Sequence, residues 1–168
     1  DRQRSLETIM AAAVELPEMK GGLAKSMDNF TAMEKQLLVE RHLISREHAA
    51  KNVGSGVVIN KAETISLMIN EEDHLRMQAL LPGLCPGEVW EAIDHVDSEL
   101  EGRLDYAYSP KLGYLTACPT NVGTGIRASA MLHLPALVLA EQINQIIQAV
   151  NKLGLAVRGL YGEGTEAS

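Results

Sequence analysis

The sequence predicts a mixed α/β fold, and three observations predict it. Apolar residues recur at helical spacing over 4–16 and again over 136–152. Two β-rich runs, 53–60 and 64–70, flank Lys61-Ala62-Glu63 as the arms of an antiparallel hairpin would. A polar, glycine-bearing stretch, 118–129, follows the strand-like run 112–117 and precedes another apolar run. Loops held in this way between ordered elements commonly carry chemistry.

Along the chain, the first stripe places Leu6, Ile9, Met10, Ala13 and Val14 on one helical face and ends at Pro17. Gly21-Gly22 breaks the chain. Asp28 or Thr31 then caps a helix running to about Arg41, with Met33, Leu37 and Leu38 inward, and 42–47 reads as a turn. After the hairpin, Asn70 or Asp73 caps a further helix through Leu81. Its acidic first turn answers the helix dipole, and Glu72 pairs with Arg76 at i,i+4. Pro82-Gly83 and Pro86-Gly87 frame a short loop. Residues 88–103 form a helix with Val89, Trp90, Ile93, Val96 and Leu100 inward and an acidic outer face. Tyr106, Tyr108 and Tyr114 are packing residues. Residues 131–134 read as a strand ended by Pro135, 136–152 as one helix stopped by Gly154, and 155–159 as a strand entering a glycine-rich loop. No internal repeat or low-complexity tract is visible.

The composition excludes several classes. The 168 residues are 46% hydrophobic and 22% charged, which suits a globular chain of about one domain. Aromatic residues are few, so Leu, Ile, Val, Ala and seven methionines must build an adaptable core. A net charge of −7 argues against a general nucleic-acid surface. No apolar run approaches the roughly 20 residues needed to span a bilayer. Cys85 and Cys118 stand apart and form no metal or redox pair, which suits a reducing cytoplasm. The chain opens Asp-Arg-Gln-Arg, with neither initiator Met nor signal peptide, and stops at Ala-Ser. A fragment of a longer, cytoplasmic protein is therefore expected.

The stretch Cys-Pro-Thr-Asn-Val-Gly-Thr-Gly-Ile-Arg at 118–127 is poor core material and good material for an anion site. Gly123 and Gly125 let backbone approach a ligand. Thr120, Asn121, Thr124 and Ser129 supply hydrogen-bonding groups, Arg127 a planar cation suited to phosphate, and Cys118 a possible thiolate. Gly123-x-Gly125-x-x-Ala128 fits a loose dinucleotide fingerprint, but that motif must open a helix and this one does not.

The same run resembles the signature of the ATP:guanido phosphotransferases, C-P-T-N-x-G-T-x-x-R, at every fixed position. Asn-Glu-Glu-Asp-His-Leu-Arg at 70–76 is similar to the family's second signature. Arg158 to Glu163 matches Arg-Gly-x-x-Gly-Glu of its arginine-specific members. Arg-His-Leu-Ile-Ser at 41–45 and the run from Arg127 through Leu137 resemble the bacterial protein-arginine kinases of the McsB type. The likeness covers roughly 40–168 and implies an α+β fold, an antiparallel sheet flanked by helices, as in glutamine synthetase-like catalytic domains. It also implies that residues 1–168 are part of one catalytic domain, whose upstream phosphate motif and C-terminal region fall outside.

By this resemblance Arg76, Arg127 and Arg158 hold the phosphates of ATP, and His42 contacts the nucleotide. Thr120, Asn121, Gly123, Thr124 and Gly125 form the signature loop. Mg²⁺ is held mainly through phosphates and water, so no protein metal ligand is expected. Glu72 and Glu163 grip the acceptor guanidinium, orienting one nitrogen toward the γ-phosphate. Cys118 lies near the substrate nitrogens. Two plain alternatives stand beside these roles: His42 as an ordinary residue at a helix end, and Cys118 as a small buried residue before a Pro turn. Small-substrate members follow the signature Arg with Ala-Ser-Val-His; here Met131 stands at the place of that His and His133 lies two residues further on, and their role is open.

The resemblance thus implies ATP-dependent phosphorylation of arginine side chains in proteins, marking stress regulators and clients for degradation. Partners would be proteins with exposed arginine, an activator and a protease system, with homodimerisation through regions outside this chain and no nucleic acid or membrane. Two other readings remain at this point: a phosphagen kinase of free arginine, and a non-catalytic interaction or regulatory module that kept the fold.

Overall fold

Residues 2–159 are described by a computed structural model, in which the chain divides into two units, Asp1–Ala128 and Ser129–Ser168. The first is built on a four-stranded antiparallel sheet of β1 (Leu23–Ser26), β2 (Gly56–Ile59), β3 (Ile65–Ile69) and β4 (Leu75–Ala79), in that spatial order. The β2–β3 hairpin forms as the sequence predicts, with Val57 opposite Met68 and Ile59 opposite Ser66. Its turn is held by Asn60, whose Oδ1 accepts the N–H groups of Thr64 and Ile65 at 2.8 and 3.0 Å.

Both faces of the sheet are covered, which is why β2 and β3 are almost continuously apolar instead of alternating. On one face Val58, Ile65, Leu67 and Ile69 pack with Leu6, Ile9 and Ala13 of α1 (Arg2–Val14) and with Val96 and Leu100 of α4 (Pro86–Glu101). On the other, Val57, Ile59 and Met68 pack with Met27, with Leu38 and Val39 of α2 (Ala32–Glu40), and with Leu43 and Ile44. Ser66, the polar interruption, donates to the carbonyl of Leu43 at 2.6 Å. Gly56 lets α1 approach the sheet closely, since a Cβ there would lie 2.6 Å from Leu6 Cδ1.

The segment after the hairpin corrects the sequence reading. Residues 75–79 form a strand paired with β3, where a helix from Asn70 or Asp73 through Leu81 was expected. An acidic cluster followed by mixed residues imitates a helix start, but Leu75, Met77 and Ala79 alternate toward the core formed with α1 and α4. Asn70, at φ 58°, reverses the chain, and its N–H donates to the His74 carbonyl at 2.9 Å. Short β1 was also not foreseen, because Leu-Ala-Lys-Ser after two glycines carries too little β pattern.

Thr31 caps α2 through a reciprocal capping box with Glu34. This phase turns Leu38 and Val39 inward and leaves Met33 and Leu37, expected inside, exposed. The helix closes at Leu43, whose N–H returns to the Leu38 carbonyl at 2.9 Å, with His42 left-handed at φ 57°. Part of the expected 42–47 turn becomes α3 (Arg46–Ala49), capped by the Ser45 hydroxyl. In α4, Val96 and Leu100 are fully buried, while Trp90 is exposed and does not join them. Tyr114 lies edge-on to both Tyr106 and Tyr108, across the small ladder of β5 (Tyr108–Ser109) and β6 (Gly113–Tyr114).

In the second unit the long helix expected over 136–152 is two, α5 (Pro135–Leu139) and α6 (Ile143–Lys152). Between them Glu141 takes φ 56°, and the Gln142 N–H closes back on the Leu137 carbonyl at 2.9 Å, ending the first helix. Residues 131–134, expected as a strand, form none, and of 155–159, also expected as a strand, only Gly159 takes part in a bridge.

Candidate functional site

The acidic turn between β3 and β4 sorts three consecutive carboxylates by direction. Asn70, just before them, is buried and fixed on every side. Its Nδ2 donates to the carbonyls of Gly54 and Arg2 at 2.6 and 2.8 Å, and its Oδ1 meets His74 Nδ1 at 2.8 Å. Its own carbonyl accepts from Ser55 Oγ and from the Arg2 guanidinium. So restrained, Asn70 sends Glu71 inward, Glu72 outward and Asp73 sideways.

Glu71 is buried, yet both of its oxygens are used. Oε1 accepts from Ser45 Oγ at 2.6 Å and from Arg76 Nη1 at 2.9 Å, and Oε2 accepts the Glu72 N–H at 2.6 Å. Burial works to raise its pKa, but the Ser45 hydroxyl, the Arg76 guanidinium and the Glu72 amide together hold it below the usual carboxylate range. Arg76 therefore pairs with Glu71, not with Glu72 as the helical reading had it. The Arg76 side chain stays 38% exposed, and only Nη1 is engaged by Glu71, so other N–H groups remain within reach of a ligand. Glu72 itself is exposed. It borders a cleft of about 320 Å³ lined by Arg2, Lys51 and residues 70–74.

Asp73 connects this turn to the central loop: its carboxylate accepts the Ala117 N–H at 2.5 Å, one residue before Cys118. The two signature segments, 70–76 and 118–127, are thereby tied together. Beyond that bond the loop is held mostly by its own backbone. Tyr114 and Gly123 exchange hydrogen bonds as an isolated bridge. The approach is close enough that a Cβ on Gly113, which sits at φ 83°, would lie 2.2 Å from the Gly123 carbonyl oxygen. Pro119–Asn121 forms one tight turn, and Cys118 Sγ lies 2.9 Å from Thr120 Oγ1. Cys118 is half-buried, so neither the reactive nor the packing reading is removed by its exposure. Thr120, Asn121, Thr124 and Gly125 are exposed, and Gly123 is half-buried.

His42 is the left-handed residue that ends α2, and its carbonyl accepts from Gln78 Nε2 at 2.6 Å. Its backbone place is set by helix termination. Arg127 is exposed at the end of the loop, and Arg158 is exposed in the second unit. Met131 and His133 lie exposed in the same unit. Glu163 lies outside the described residues. The arginines are the groups suited to ATP. Arg76, held at one edge and exposed at the other, presents donors that a phosphate oxygen accepts. Among the described residues, no group of three His, Cys, Asp or Glu side chains is arranged for a metal ion.

The sequence reading missed Glu71, Ser45, Asp73 and His48 as parts of this arrangement. His48 is fully buried behind Glu71, with Nε2 at 3.0 Å from the Gly56 carbonyl and Nδ1 without a partner. Burial pushes it down to about 4, so it is neutral at physiological pH. The available signal was positional: where a β-run ends in Asn-Glu-Glu-Asp, the three carboxylates cannot share one environment.

Comparison with known proteins agrees with this geometry. The family described as ATP:guanido phosphotransferase, C-terminal catalytic domain, matches residues 5–168. A protein-arginine kinase of Pelotomaculum thermopropionicum is 54% identical over 154 residues, which is 91% of this chain and 43% of that protein. One of Halothermothrix orenii is 57% identical over 140 residues, 83% of this chain and 40% of that protein. The chain thus spans about two-fifths of these curated relatives. Among solved structures, the duplicated taurocyamine kinase of Schistosoma mansoni with bound transition-state-analogue components superposes with a TM-score of 0.82 at 27% identity, over 100% of this chain and 25% of that one. Lombricine kinase does so with a TM-score of 0.75 at 27% identity, over 99% of this chain and 49% of that one. The antiparallel sheet with its flanking helices, the two signature segments and the family match agree: the chain belongs to the ATP:guanido phosphotransferase family and matches its C-terminal catalytic domain.

Proposed function

We propose that the protein carrying this chain is an ATP-dependent protein-arginine kinase, and that both units belong to one catalytic domain. The observation that carries the reading is Glu72, turned outward into a cleft by a buried neighbour on one side and a tethered one on the other. In the reaction a guanidinium nitrogen bonds to the γ-phosphorus, the bond from that phosphorus to the ADP oxygen breaks, and a proton leaves the nitrogen. Glu72 accepts N–H groups of the guanidinium and aims the reacting nitrogen, with Glu163 as its partner carboxylate. An ordinary carboxylate is a weak base for so basic a group, so orientation outweighs proton removal. Arg76, Arg127 and Arg158 hold the phosphates, His42 contacts the nucleotide, and Cys118 lies beside the acceptor nitrogens.

Phosphoryl transfer asks mainly for this kind of positioning and charge stabilisation. Mg²⁺ would be held through phosphates and water and would supply charge neutralisation at the phosphoryl oxygens, leaving positioning to this chain's residues. The acceptors are proteins with exposed arginine. An activator, a protease system that degrades the marked proteins, homodimerisation and a cytoplasmic setting complete the proposal. Among the described residues no helix is long and apolar enough to cross a membrane.

The full-length protein, incubated with ATP and an arginine-rich protein, should give acid-labile phosphate on arginine. Acid-stable phosphoserine would overturn the reading. The solved relatives named for small guanidino substrates, at 27% identity, favour a second reading: transfer to free arginine. The identities of 54% and 57% to protein-arginine kinases weigh against it. Turnover of free L-arginine in an ADP-release assay would reinstate it.

A further inference from the structure

We infer that Glu71 is a positioning residue that sets the nucleotide side and the guanidinium side of the site relative to each other, through Arg76 on one oxygen and the backbone of Glu72 on the other. The inference deepens the phosphoryl-transfer reading and rests on it. One carboxylate, buried at 6% exposure, takes donors from three places: the cap of α3 through Ser45, β4 through Arg76, and the turn itself through the Glu72 N–H. Nothing about the sheet requires a charge there. Replacing a buried ion pair with packed apolar groups is often neutral or stabilising, so holding the fold together is a weak explanation for this one.

Directional restraint explains it better. Arg76 lies on a strand edge with more than a third of its side chain in solvent, and a long side chain so placed samples several rotamers unless one end is fixed. The bond at 2.9 Å to Glu71 Oε1 removes that freedom at Nη1 and leaves the rest of the fork for phosphate. The bond from Glu72 N–H to Oε2 fixes the peptide from which the outward carboxylate departs. Both restraints come from one rigid group. A displacement of Glu71 therefore moves the phosphate cation and the guanidinium acceptor together. Misplacement of about 1 Å can cost catalysis on the order of 10²-fold.

The test uses the full-length protein and three readouts: the MgADP dissociation constant by calorimetry, kcat at saturating ATP with an arginine-rich protein, and Tm. Glu71→Gln keeps the side chain's size, but only one of its two terminal atoms can still accept a hydrogen bond. The expected result is MgADP binding weakened by about tenfold together with kcat lowered by about tenfold or more, beyond what any loss of folded protein explains. In an Arg76→Met background the same change should leave MgADP affinity unaltered while still lowering kcat through Glu72. A fall in Tm with affinity and kcat per folded molecule unchanged would overturn the proposal, since a purely structural carboxylate behaves that way. If Glu71→Gln does not fold, Glu71→Asp keeps the charge but is too short to serve both partners. Unchanged affinity and kcat in that variant would overturn the proposal equally. Wild-type protein that binds no MgADP would instead refute the kinase reading, so the two failures are separable.

Discussion

Residues 70–76 are held from beneath, whereas residues 118–127 are held from the side. In the first segment Asn70 and Glu71 are buried and every polar atom of their side chains has a partner within the same unit. In the second, no residue is buried. Its neighbours fix it through the Tyr114–Gly123 bridge and the bond from Ala117 N–H to Asp73. One segment has its geometry before any ligand arrives. The other has glycines, exposed hydroxyls and an exposed arginine, and no buried side chain beneath it. On the proposed function, the first segment carries both the acceptor carboxylate Glu72 and the phosphate cation Arg76, and the second adds Arg127.

The largest effect should follow from loosening the stiff segment. Asn70→Ala removes three side-chain hydrogen bonds, worth about 1 kcal/mol each, and leaves a residue less suited to φ 58° at an added cost of about 1 kcal/mol. A loss of roughly 3–4 kcal/mol in denaturant unfolding is expected. A loss below about 1 kcal/mol would mean that the turn is not held from beneath.

Acid should reach the same segment through His48. Its folded value of about 4 lies below the ordinary 6.5, so the unfolded chain binds a proton first as pH falls. The stability present above pH 6.5 is lost below it at up to about 1.4 kcal/mol per pH unit, roughly 3 kcal/mol by the folded value. Glu71, lowered in the folded state, adds a loss of the same sign at lower pH. Unfolding curves of His48→Gln between pH 7 and pH 4 should show the slope reduced, and an unchanged slope would assign the acid sensitivity to other groups.

Glu72 contrasts with both, because it is exposed and carries no structural bond through its side chain. Glu72→Gln should leave Tm unchanged and lower kcat by about 10²-fold or more, with MgADP affinity unaffected. Equal falls in affinity and kcat would place Glu72 on the nucleotide side. The smallest effect belongs to the tether of the second segment: Asp73→Ala should cost about 1 kcal/mol overall. Amide exchange should then rise across residues 113–127 and stay unchanged over 65–69. A uniform rise would show the two segments to be one cooperative unit.

These contrasts were only partly visible in the sequence. The hairpin was legible because residues 61–63 interrupt two β-rich runs, and the helix over 86–101 because Val96 and Leu100 repeat at i,i+4. The strand at 75–79 was not, since Glu-Glu-Asp imitates the first turn of a helix and only β3 reveals Leu75, Met77 and Ala79 as one face. Trp90 was misplaced because large aromatic residues are usually buried, and its angular position on α4 was read too generously. The break at 140–142 has no glycine or proline to announce it; Glu141 takes the left-handed position instead. At the site the signature residues were legible by likeness. What Glu71 and Asp73 touch was not, because burial and long-range partners do not show in spacing.

Arg2 carries a last consequence. Its carbonyl accepts from Asn70 Nδ2 and its guanidinium donates to the Asn70 carbonyl, 68 residues away. The first turn of α1 is therefore a component of the acidic turn and not a neutral handle. A shortened expression boundary drawn at residue 5, or a fusion that unwinds the first helical turn, would disturb the acidic turn without touching any residue of the two signatures. A variant damaged there would be mistaken for a catalytic mutant.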